Sequence, residues 1–197
     1  MNAPKTILCL DLALANTGVA VVSLGSPDKL VFVDTLQTVK MDKALMRQLK
    51  LKVADAEWAR VESLISQLEK VVNEFKPDHV FLECPTGGSK SAQAAKTMAL
   101  ARGAACGVTH FSNIPVSLVS PFSAKKAATG DSQASKEQVK GVAKALFPDF
   151  KDWVKGKRGK IVEGKNEHVY DALSVYMAAK ATKEYKDLKN DSGKQAV

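Results

Sequence analysis

The chain has 197 residues, 45% of them apolar, and 29 Lys and Arg against 21 Asp and Glu give a formal net charge of +8. The length suffices for one domain with a sizeable core, and no apolar run is long enough to span a membrane. The basic balance favours a polyanionic partner, most simply nucleic acid. The N-terminal stretch Met1-Asn2-Ala3-Pro4-Lys5-Thr6 lacks the apolar region of a signal peptide, so a cytoplasmic location is expected. Cys9, Cys84 and Cys106 are an odd set without metal-type spacing and read as reduced core thiols.

In chain order, Ile7, Leu8, Cys9 and Leu10 form a short apolar run that predicts a strand buried on both faces, ended by Asp11. A carboxylate directly after a buried strand needs a cation, a metal or hydrogen-bond donors, unless it is a solvated turn residue. Asn16-Thr17-Gly18 gives a turn signal, and a second β-rich run starts at Val19, which predicts a hairpin. Residues 30–36 predict a third strand, and 41–52 a basic loop entering a helix. The clearest helix is 55–75, with Val61, Leu64, Ile65, Leu68, Val72 and Phe75 at helical spacing and Lys76-Pro77-Asp78 as its stop. Trp58 on this helix is expected in the core.

Residues 79–83 predict a fourth strand, again ended by an acid, Glu83. Residues 91–108 predict an Ala-rich helix. Its small residues suit either packing within the chain or a dimer seam. A fifth strand is expected at 114–119, broken by Pro115, and a short helix or turn at 122–129 carries Lys125 and Lys126. The helix expected over 135–146 has Ser135 at its N-cap and Gln138 at the capping-box position. Residues 147–165 are irregular and basic. They hold Lys155, Lys157, Arg158 and Lys160, and Trp153 is expected to anchor the loop to the core. The last helix is expected over 166–183. The chain therefore divides into one domain over 1–185 and a polar tail over 186–197. The order βββαβαβαα predicts an α/β fold. Its mixed five-stranded sheet has three antiparallel strands, then parallel ones, flanked by helices.

Glu167, His168 and Asp171 lie in the first turns of the last helix. His168 and Asp171, at i,i+3, share a face, as do Glu167 and Asp171 at i,i+4. If that helix abuts the ends of the first and fourth strands, these groups converge with Asp11 and Glu83. Packed carboxylates stay ionised only with cations between them, and oxygen-rich sites select Mg²⁺ or Mn²⁺. Two such ions can activate water and stabilise the leaving oxygen of a phosphodiester.

The motifs and their order resemble the RuvC-type Holliday junction resolvases of the RNase H-like superfamily, possible phage-encoded members included. I-L-C-L-D followed by Thr17-Gly18 is similar to that family's first motif, and V-F-L-E ending at Glu83 to its second. A-L-A-R-G-A-A is similar to its following helix. K-K-A-A-T-G with S-K-E-Q-V resembles its basic segment, and H-V-Y-D-A-L-S its final motif. The resemblance runs over residues 7–179. It implies an RNase H-like fold, two Mg²⁺ per site with Mn²⁺ as substitute, and Asp11, Glu83 and Asp171 as metal-binding carboxylates. His168 is implied as the fourth ligand, with Glu167 as the lesser candidate. Lys125 would neutralise charge on the phosphate. Lys126, Lys136 and the basic loop would contact DNA.

The implied activity is resolution of four-way junctions in branched DNA by paired symmetric nicks. A homodimer would carry it out in recombination and repair, with no membrane involved. Three departures are visible. Ala13 replaces a motif glycine, Thr86 stands where an aromatic is common, and the basic loop is long. The alternatives are a broader nuclease for flaps, forks or RNA–DNA hybrids, an actin-like or sugar-kinase-like ATPase, and a junction-binding protein without catalysis. An ATPase would need a second phosphate hairpin, which the sequence does not supply. A pure binder would have no need of clustered acids.

Overall fold

The structure, a computed structural model, describes residues 4–84, 91–155 and 162–193. Five strands form one sheet: β1 (Thr6–Asp11), β2 (Asn16–Ser23), β3 (Lys29–Gln37), β4 (His79–Glu83) and β5 (Val116–Val119), in the order β3-β2-β1-β4-β5. The first three pair antiparallel, and β4 and β5 add parallel to β1. This is the mixed sheet expected from the strand order.

Side chains alternate across a strand, and here each face finds a helical layer. Leu8 and Leu10 of β1, Val19 and Val21 of β2, and Val80 and Leu82 of β4 pack on one side. They meet Leu64, Leu68 and Val72 of α2 (Val53–Phe75) and Ala101, Ala104, Ala105 and Val108 of α3 (Ala92–Phe111). Ile7, Cys9, Ala20, Val22 and Phe81 face the other side. There they meet α4 (Pro121–Thr129), α5 (Lys136–Leu146), α6 (Glu163–Ala179) and α7 (Lys183–Gly193). α6 lies against β2, β1 and β3, and its middle and end, from Val169 to Ala179, are almost wholly buried. An apolar helix without a solvated stripe belongs inside a fold. The predicted cap of α5 forms: Ser135 accepts from the Gln138 amide, and the Gln138 side chain accepts from the Ser135 amide.

Four expectations change. The stretch 41–52 contains a helix, α1 (Lys43–Gln48), capped by Asp42, which accepts from the Ala44 and Leu45 amides. Trp58 is 68% exposed rather than in the core. It falls outside the Leu64–Leu68–Val72 stripe that α2 turns to the sheet. Only Cys9 is a fully buried thiol; Cys84 is half-buried and Cys106 exposed. Residues 186–193 continue the helix α7, with Leu188 packed on the core and Lys189 paired with Asp28. Trp153 does anchor its loop, its ring lying 5.4 Å from Phe150 and 5.6 Å from Tyr170 between centroids. Thr86, Lys157, Arg158 and Lys160 lie outside the described residues. Among the described residues, no helix is long and apolar enough to cross a membrane.

Candidate functional site

The strand parity that builds the core also aims the acids. On β1, Ile7, Cys9 and Asp11 share the face toward α6, and on β4 so do Phe81 and Glu83. Cys9 pairs with Phe81 and Leu10 with Leu82. Asp11 and Glu83 are the next residues on these neighbouring parallel strands.

The start of α6 completes the site, and one cross-strand row holds it there. Asp11 pairs with Gly18, and Gly18 with Thr35. Thr35 Oγ1 donates to the Lys165 carbonyl at 2.5 Å, tying down the first turn of α6. A Cβ added to Gly18 would lie 1.9 Å from the His168 carbonyl oxygen. Only a glycine lets the helix backbone approach this closely. Buried Asn166 fastens the same turn from the other side. It accepts from the Val154 amide and donates to the Val154 and Val162 carbonyls.

Asp11, His168 and Asp171 each present one ligand atom, all within 4.8 Å of one another. That is close to twice a divalent metal–ligand bond of about 2.0–2.2 Å, so a cation could bridge them with little adjustment. His168 Nδ1 lies 3.3 Å from Asp11 Oδ2, and this bond raises the His168 pKa above the usual range. Burial, then the charges of Asp11 and Asp171, pushes Glu83 up to about 7, with Lys125 opposing. Burial, then Asp11, pushes Asp171 up to about 6, with Lys136 and His168 opposing. The resident cations therefore do not compensate the acids fully, and an added divalent ion would do so.

The remaining predicted residues divide. Lys125, half-buried on α4, is felt by Glu83. Lys126 is exposed on the same helix. Glu167 is bonded to Lys136 and stands outside the Asp11–His168–Asp171 group. Lys155 is exposed, 3.9 Å from Asp152. Sequence reasoning missed the supporting roles of Thr35 and Asn166. It read Gly18 as a turn residue and as part of the first motif, but not as the point where α6 comes close, although a glycine inside a β-rich run is itself a signal of close backbone approach.

The family model described as "Crossover junction endodeoxyribonuclease RuvC" matches residues 7–151. That span includes Asp11, Glu83, Lys125 and Lys136, and ends before α6. Among curated relatives, the RuvC of Porphyromonas gingivalis is 31% identical over 97 residues, 49% of this chain and 51% of that protein. The RuvC of Orientia tsutsugamushi strain Boryong is 29% identical over 143 residues, 72% of this chain and 80% of that one. The chain thus spans about half of one relative and four fifths of the other. Among solved structures, Thermus thermophilus RuvC in complex with a Holliday junction substrate superposes with a TM-score of 0.66. It does so at 19% identity, over 88% of this chain and 92% of that one. The yeast mitochondrial Holliday junction resolvase Ydc2 gives 0.56 at 16% identity, over 99% and 86%. These two likenesses carry the fold, and the second, over 99% of this chain, takes in α6. The family-model match carries the conclusion that the chain belongs to the RuvC family of crossover junction endodeoxyribonucleases.

Proposed function

We propose that this chain hydrolyses phosphodiester bonds at four-way DNA junctions in paired symmetric nicks, as a homodimer. Two Mg²⁺ ions, for which Mn²⁺ substitutes, would be held by Asp11, Glu83, His168 and Asp171. The observation that carries the reading is the convergence of Asp11, His168 and Asp171 beside the under-compensated Glu83. Bound divalent ions supply an activated water and stabilise the leaving oxygen. Asp11, Glu83 and Asp171 would supply carboxylate oxygens to hold these ions. His168, hydrogen-bonded to Asp11, would ligate a metal or hold a proton at its ring nitrogen. Lys125 would offset charge on the phosphate, and Lys136 would position the DNA backbone. Lys126, Lys155 and the basic residues beyond it would add sequence-independent phosphate contacts that weaken with salt.

An exposed face supports the dimer. The small residues of α3 divide: Ala101, Ala104 and Ala105 face the core, whereas Ala95, Ala99, Gly103 and Cys106 are exposed. Beside them stand Leu118, 65% exposed on the edge strand β5, and Phe111, 86% exposed. An unpaired edge with apolar neighbours is a surface that proteins normally cover. Leu118→Asp is expected to give a monomer in analytical ultracentrifugation. A dimer in that variant would place the interface elsewhere.

The activity test incubates the protein with an immobile four-way junction, a flap and a plain duplex, in Mg²⁺, Mn²⁺ or EDTA. The reading expects symmetric nicks in the junction alone, lost in EDTA and in Asp11→Asn, with junction binding retained. Equal cutting of all three substrates would point to the broader branched-DNA nuclease. Cutting by Asp11→Asn would remove the proposed site.

A further inference from the structure

A cleft of about 1000 Å³ opens beside the β1–β2 turn, between that turn, the α1 segment and the first turns of α2. Its size is at the upper end of ordinary ligand pockets, about 300–1,000 Å³. The rim carries Lys40, Lys43, Arg47, Lys52 and Arg60 against one carboxylate, Glu57, which already pairs with Lys96 at 2.6 Å. Among the described residues, no ion pair engages Lys40, Lys43, Arg47 or Lys52. The floor is aliphatic, with Leu14, Met41, Met46 and Leu51. α1 itself buries no residue. The wall toward the site is fixed. Thr17 Oγ1 donates to the Ala13 carbonyl at 2.8 Å, Thr38 Oγ1 donates to the Leu14 carbonyl, and Arg60 Nε donates to Thr38 Oγ1 at 3.0 Å.

We propose that this cleft is a second nucleic-acid subsite, one that takes unpaired nucleotides, with phosphates on the basic rim and bases against the aliphatic floor. Charge selects a polyanion, and the floor selects the kind. A duplex keeps its bases stacked inside and offers such a floor nothing, whereas a single strand presents base faces beside its phosphates. The cleft also begins at Ala13, two residues from Asp11, but it opens on the α2 side of the sheet whereas the acids face α6, so the β1–β2 turn separates the two sites. The inference goes beyond junction cleavage and is read by binding alone.

The test is fluorescence anisotropy on the full chain in EDTA at about 0.15 M salt, where charge effects fade beyond about 8 Å. The probes are oligothymidylate of about 15 nucleotides, an abasic strand of equal charge, and a blunt duplex. Polyglutamate serves as competitor. Wild type should hold oligothymidylate at least about fivefold tighter than the abasic strand. The triple variant Lys40→Glu, Lys43→Glu, Arg47→Glu should weaken oligothymidylate about tenfold or more and the duplex less than about twofold. A control triple at the exposed Lys70, Lys180 and Lys186 should leave both unchanged. Should the Glu triple lose its fold by circular dichroism, the corresponding Gln triple is read instead, with about threefold expected. An equal fall for both probes, an equal fall in the control triple, or no preference over the abasic strand would overturn the proposal. Displacement of oligothymidylate by polyglutamate at matched charge would assign the cleft to an acidic peptide and overturn it equally.

Discussion

Two groups of buried acids lie on the same side of the sheet and are treated in opposite ways. Asp28, between β2 and β3, accepts from the Gly25 amide, from Lys189 and from the hydroxyls of Tyr176 and Tyr185. Burial pushes its pKa up, and those donors outweigh burial and hold it below the usual carboxylate range. Glu83 and Asp171, at the far end of the strands, are pushed up to about 7 and 6 because burial and mutual repulsion outweigh Lys125, Lys136 and His168. The first acid is closed and serves the fold by pinning α7. The second group is electrostatically unfinished, and an added cation would complete it. Burial alone therefore does not mark a candidate functional acid; burial without enough donors does.

The largest effect is expected where the backbone makes the open group possible. Gly18→Ala puts a Cβ against the His168 carbonyl, and α6 must withdraw. Junction cleavage should fall at least about 100-fold, and stability by about 3 kcal/mol, as for severe overpacking. Cleavage assays and urea melts read both. Near-wild-type cleavage would mean that the approach of α6 is unimportant.

Next in size is the closed acid. Asp28→Ala strands Lys189 and two tyrosine hydroxyls, at a cost of roughly 3 kcal/mol. Cleavage per folded molecule, checked at low temperature, should stay within about twofold of wild type.

Smaller, and opposite in sign, is Glu83→Gln in the metal-free protein. Glu83 and Asp171 have folded pKa values above their ordinary ones, so their contribution to stability is complete in acid. It is lost as pH rises through about 6 to 7. Removing the Glu83 charge should raise Tm by about 5 °C at pH 8, with the gain shrinking toward pH 5. Saturating Mg²⁺ should stabilise wild type more than the variant. A gain independent of pH would contradict this electrostatic account. Smallest is Glu167→Gln, which breaks an exposed pair with Lys136. Stability should change by about 1 kcal/mol or less, and cleavage by less than about threefold. A loss comparable with that of Asp11→Asn would make Glu167 a metal ligand after all.

The sheet was legible because period-two runs, turn residues and strand-ending acids are local signals. So were the acids themselves, since Asp11 and Glu83 interrupt apolar runs where a charge is costly. The i,i+3 spacing already put His168 and Asp171 on one face. What was not legible depends on distant neighbours. Gly18 reads as a turn glycine until α6 is laid against it. Thr35 and Asn166 are ordinary polar residues until their carbonyl partners arrive from 130 residues away and from a loop. α7 reads as a polar tail because what fixes it, Tyr185, Leu188 and Lys189 against the core and Asp28, is sparse in sequence. Trp58 misled because size suggests burial, whereas the helical phase of α2 sends it outward.

The central claim, that the ends of β1 and β4 and the start of α6 together hold divalent ions, is tested most directly by anomalous diffraction from crystals soaked in Mn²⁺. The account predicts Mn²⁺ peaks bonded to Asp11 and Asp171, with Glu83 or His168 completing the coordination, and no such peaks in Asp11→Asn. Mn²⁺ bound only elsewhere, or unchanged peaks in that variant, would contradict it.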